Sequence, residues 1–66
     1  MNNPIAHLQI ETNEGTFKFE ITPNDDGYRI DQVLLEKLTI GSAKSFAESL
    51  EIITNYLFIN EIEILN

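Results

Sequence analysis

Hydrophobic and polar residues alternate over residues 5–12, with Ala6, Leu8 and Ile10 on one side and His7, Gln9 and Glu11 on the other. Residues 16–22 alternate again, Phe17, Phe19 and Ile21 against Lys18 and Glu20. A period of two gives each stretch one buried and one wet face, so both read as half-buried strands. The short polar link between them makes the pair a hairpin. Opposed residues share a face, and the apolar positions are even in the first strand and odd in the second, so paired numbers must sum to an odd value. A two-residue Glu14-Gly15 turn, which sets Ile10 against Phe19 and Leu8 against Ile21, meets that condition, as does a four-residue loop.

The turn-rich cluster Thr22-Pro23-Asn24-Asp25-Asp26-Gly27 closes the hairpin. Beyond it Asp31 suits a helix N-cap, with Ile30 placed to staple onto Leu35 and Gly41 as the stop. Ser42 is expected to cap a second helix. Counted from Ala43, its apolar residues Phe46, Ala47, Leu50, Ile53 and Leu57 form one stripe, with Lys44, Glu48, Glu51 and Asn55 opposite. Residues 58–65 are β-branched and alternating, which predicts a third strand with Ile62 and Ile64 inward and Glu61 and Glu63 outward. The expected fold is a small α+β domain of order ββααβ, a three-stranded sheet with one face covered by an amphipathic helix.

The chain has 66 residues, enough for a single domain over 1–66 that buries only about 60% of its unfolded surface. It has no cysteine and one histidine, which leaves neither a disulfide nor a structural zinc to add stability. Self-association into a homo-oligomer, most simply a dimer, is the expected supplement. The apolar run Leu57-Phe58-Ile59 is far short of the ~20 residues that span a bilayer, and residues 1–4 carry no signal-like stretch. A cytoplasmic protein without a membrane partner is therefore expected, in keeping with the missing cysteines.

Eleven acidic and four basic residues give a net charge of −7. Direct nucleic-acid binding is disfavoured, because phosphates require clustered Lys and Arg. Residues 1–27 carry five acids and one base, residues 48–66 four acids and no base, and the middle is close to neutral. Catalytic constellations do not assemble. His7 is the one candidate base, Ser42, Ser45 and Ser49 are explained by helix capping or solvation, and no G-x-S-x-G elbow occurs. Residues 22–33 match the centre of a calcium loop at Asn24, Asp26 and Gly27 but offer Thr22 and Val33 where Asp and Glu are required. Gly15, Gly27 and Gly41 are too far apart for a phosphate loop. No enzyme activity, cofactor or metal is expected.

What remains is binding. Glu11, Glu20, Glu61 and Glu63 fall on the polar face of the expected sheet, where they would steer the protein onto a basic partner surface. A net charge of −7 is a poor copy of duplex DNA, which carries about 18 charges in ~30 Å. Ile5, Ile59 and Leu65 fall outside the packed face and suggest an apolar interface. The leading expectation is a small acidic module, an inhibitor or adaptor of the kind phages and other mobile elements carry, that occupies a basic surface of a partner protein. Its alternatives are a self-assembling scaffold subunit and a small-ligand binder at an oligomer interface, with Arg29, Lys37 and Lys44 as anion contacts.

Overall fold

Residues 3–65 are described by a computed structural model, in which four strands and one helix follow each other along the chain. They are β1 (Ala6–Thr12), β2 (Gly15–Asn24), β3 (Gly27–Val33), β4 (Lys37–Ala43) and α1 (Phe46–Ile59). The strands form one antiparallel sheet in the order β1-β2-β3-β4. The expected three-stranded ββααβ arrangement is thus corrected to a four-stranded meander followed by a helix. The fold remains α+β.

The parity argument for the first hairpin holds, but its register moves by one rung. Leu8 opposes Phe19 and Ile10 opposes Phe17, around an Asn13-Glu14 turn in place of Glu14-Gly15. Thr12 fixes this: its hydroxyl donates to the Gly15 carbonyl at 2.7 Å and accepts from the Glu14 N–H at 3.0 Å.

The larger correction concerns residues 27–43, where a hairpin replaces the first expected helix. Asn24 pairs with Gly27 across a two-residue Asp25-Asp26 turn, and the Asn24 side chain accepts from the Asp26 N–H at 3.0 Å. Gly27 has φ +144°, and a Cβ there would collide with the Ala43 carbonyl. Asp31 is no N-cap; it lies mid-strand, opposite Glu20 and Thr39. Gly41 does not stop a helix but lies in β4, where a Cβ would sit 3.1 Å from Ile52 Cγ2 as α1 passes over. A register shift between Ile30 and Asp31 marks a bulge in the β3–β4 ladder.

Helix α1 is capped three residues later than expected, by Ser45 in place of Ser42. Ser45 accepts from the Glu48 N–H at 3.1 Å, and Glu48 reaches back to the Lys44 N–H at 2.9 Å, an S-x-x-E cap in which the glutamate takes the N–H of the residue before the cap. The buried stripe is Ser49, Ile53 and Leu57, flanked by Ile52 and Tyr56, while Phe46 and Leu50 are each 39% exposed. The expected stripe is therefore rotated about the helix axis. Ser49 fits the contact because its hydroxyl is satisfied internally, donating to the Ser45 carbonyl at 3.1 Å. Against the stripe pack Phe19, Ile21, Ile30 and Ala43 from β2, β3 and β4.

The helix ends in a Schellman motif, with Glu61 N–H on the Phe58 carbonyl (3.0 Å) and Ile62 N–H on the Leu57 carbonyl (2.8 Å). Glu61 takes the left-handed position at φ 59°. Ile62 then packs on the core. The expected third strand over 58–65 shrinks to one bridge, Ile64 to Thr12, because the first residues of that stretch complete α1.

Two stability outcomes follow from these positions. Leu57→Ala should cost about 2–5 kcal/mol in urea unfolding and Leu50→Ala clearly less, in keeping with their burial. Glu61→Gly should stabilise by about 0.5–1 kcal/mol, because glycine takes a left-handed φ without the Cβ penalty.

Candidate functional site

The four carboxylates expected to form one acidic face are divided. Glu20 projects from the central strand β2 with its side chain only 14% exposed. It is neutralised by Lys37 Nζ at 2.7 Å and approached by His7 Nδ1 at 3.2 Å. Lys37 meets Glu20 Oε1 as an ion pair without an aligned hydrogen bond. Directly across the ladder from Glu20 stands buried Asp31, held by Arg29 Nε at 3.1 Å and by the Thr39 hydroxyl, which donates at 2.7 Å. Two acids opposed on neighbouring strands repel, so Lys37 and Arg29 are what permits the pair to sit mid-sheet. This is a structural network. Two of the three cations proposed as anion contacts are consumed by it, and Lys44 lies apart from them, at the start of α1.

Glu11, Glu61 and Glu63 do converge, at one corner of the molecule. The Tyr28–Phe46 ring contact (centroids 6.3 Å apart) fixes where α1 begins, and the bond from the Tyr56 hydroxyl to Gln32 Oε1 (2.6 Å) shows that it runs toward the end of β3. Its last turn therefore reaches the sheet end that holds the β1–β2 and β3–β4 turns. From there residues 60–65 descend beside β1: Asn13 N–H donates to the Glu63 carbonyl, Glu63 N–H to Asn13 Oδ1 and Leu65 N–H to the Glu11 carbonyl, each at 2.9 Å. With Ile64 opposite Thr12, Glu63 falls on the same side as Glu11. Glu11 accepts from the Thr16 hydroxyl at 2.8 Å. Among the described residues, no salt bridge engages Glu11, Glu61 or Glu63.

The apolar residues divide in a similar way. Ile59 and Leu65 belong to the corner, while Ile5 lies at the far end of β1. The corner also holds Phe58, which the sequence pattern does not single out, and Ile62, expected to face inward and packed here against the core. Phe58 is 79% and Ile59 76% exposed, and with Glu61, Ile62 and Glu63 they line an open groove of about 520 Å³. A partial signal was present: the S-x-x-E spacing of Ser45 and Glu48 marks the helix start, although it does not say which face is buried. Leu34 and Leu35 are exposed in the β3–β4 turn, and Leu38 in β4 behind them.

Among the described residues, no group of three or more His, Asp and Glu side chains could hold a metal ion, and no helix is long and apolar enough to cross a membrane. Comparison with protein-family models, curated proteins and solved structures gives no match to this chain.

The opposed acids make a measurable demand on Lys37. Lys37→Met should destabilise by about 1–2 kcal/mol, at the low end for a broken pair because the lysine is half exposed. Adding Glu20→Gln should recover most of that loss. Additive losses in the double variant, measured by urea unfolding, would mean that the repulsion is not what Lys37 offsets.

Proposed function

We propose that the protein is a binding module that acts on a partner protein through the corner where α1 ends and residues 60–65 begin. One observation carries this: an open groove lined by the apolar residues Phe58, Ile59 and Ile62 together with Glu61 and Glu63. Apolar side chains in a pocket supply affinity, and surrounding charge supplies orientation and encounter rate. The complementary partner presents an apolar side chain flanked by Lys or Arg. In this reading the protein works by occupancy, as an inhibitor or adaptor in the cytoplasm, and carries out no chemistry of its own.

Self-association is a second reading, supported by Ile5, Leu34, Leu35 and Leu38, whose exposed side chains lie outside that groove. Binding of a small anion has less support, since Arg29 and Lys37 already hold Asp31 and Glu20.

The test is capture from the native host followed by kinetics on the captured protein. Reversing Glu61 and Glu63 to Lys should slow association strongly at 0.1 M salt, where the Debye length is ~10 Å, and weakly at 1 M, where it is ~3 Å. Phe58→Asp with Ile59→Asp should lose binding at both. Unchanged binding by both double variants would overturn the proposal.

A further inference from the structure

The two outer strands of the sheet are treated differently. An unpaired edge is a template for another strand, and edges are commonly blunted by lysine, proline or a bulge. Strand β4 has Lys37 and adjoins the bulge at Ile30/Asp31. Strand β1 has neither lysine nor a register shift over Ala6–Thr12. Instead its upper end, at Glu11 and Thr12, is covered by residues 63–65. The bonds from Leu65 N–H to the Glu11 carbonyl and from Asn13 N–H to the Glu63 carbonyl show that the odd-numbered backbone groups of β1 point outward. By strand periodicity His7 and Gln9 do the same, and among the described residues nothing pairs with them on that side. Below them the edge stops. Ile5 N–H turns inward to the Ile21 carbonyl at 2.8 Å, and Pro4 has no N–H to offer. The open edge is the five residues Ala6 to Ile10, centred on Leu8.

We infer that this edge is occupied by the same edge of a second copy, in antiparallel register about a two-fold axis at Leu8, giving a continuous eight-stranded sheet. The inference rests on the self-association reading and names its surface. A five-residue edge with outward groups at His7 and Gln9 is self-complementary in this register alone: His7 of each copy exchanges both backbone bonds with Gln9 of the other, and Ala6 opposes Ile10. The ladder ends where Pro4 meets the end of the stretch already covered by residues 63–65. The position beside Glu11 is already taken by Leu65 of the same copy, so Ile5, whose N–H turns inward, leaves the ladder next to Leu65 of the other copy, and two of the exposed aliphatics come together. Charge permits it. No like charges are opposed, and the two copies of Glu11 lie about 20 Å apart, beyond a Debye length at physiological salt.

Because the chain has no cysteine, the register can be tested by single cysteine variants. Leu8 would form a non-hydrogen-bonded pair with its own copy, Cα atoms ~4.5 Å apart, within the range a disulfide bridges. Leu8→Cys should cross-link into a dimer on oxidation. Ala6→Cys and Ile10→Cys should each stay monomeric alone, their own copies ~13 Å apart, and should cross-link when mixed. In light scattering, wild type should dimerise with concentration, and Gln9→Pro, which removes one outward N–H, should give a folded monomer by circular dichroism. A wild-type dimer in which Gln9→Pro still dimerises and Leu8→Cys does not cross-link would overturn the edge while leaving self-association standing. A wild-type monomer at every concentration would overturn both. If Gln9→Pro does not fold, the cross-linking pattern decides.

Discussion

Leu57 has no accessible surface, and much of the molecule is arranged to make that possible. One 14-residue helix, about 21 Å long and about 10 Å across, must cover a sheet whose outer strands lie ~15 Å apart. It does so by laying Ser49, Ile53 and Leu57 against Phe19, Ile21 and Ile30, at positions small enough for close approach: a serine on the helix, Gly41 and Ala43 on β4. The aromatic rings of Phe19 and Tyr56 meet edge to face, with centroids 6.2 Å apart. A single helix cannot cover more. The apolar residues left in its last turn and in the β3–β4 turn are a direct result of that geometry.

The same constraint explains which elements are legible in the sequence. Strands β1 and β2 alternate because each has one face under α1 and one face open, and their parity sets the pairing to within one rung. Helix α1 is legible as an element, but the pattern starts it three residues early, gives its last turn to a strand and misses its phase, since a buried serine breaks the apolar stripe. Strand β3 is hidden for a related reason. Asp31 and Gln32 are adjacent and both buried, one satisfied by Arg29 and Thr39 on the open face and the other by Tyr56 under the helix. Two consecutive buried polar residues erase the alternation, and what survives, Ile30, Val33 and Leu34, has helical spacing. Besides the neighbouring Arg29, their partners are Thr39 on β4 and Tyr56 on α1, which the local pattern of β3 does not reveal.

The candidate surface is legible as residue types and not as a place. Alternation put Glu61 and Glu63 on a strand, whereas Glu61 terminates the helix and Glu63 lies on a segment held to β1 by a few backbone bonds. Glu11 meets them because residues 60–65 return to the β1–β2 turn. Glu20, although on the same face of the sheet as Glu11, is drawn into ion pairs by its distance from that corner and its closeness to Lys37. Sequence pattern assigns faces; it does not assign ends of a sheet.

The meander has a consequence for synthesis on the ribosome. Every strand pairs with its neighbour in the chain through a turn of two or three residues, so each closure is local and its entropy cost small. The sheet can therefore zip up in the order in which it is made. Helix α1 comes after all four strands, and until it emerges Phe19, Ile21 and Ile30 form a bare apolar face on a growing chain. That interval is when the nascent protein is most exposed to wrong partners, and when a chaperone that holds apolar surface has something to grip.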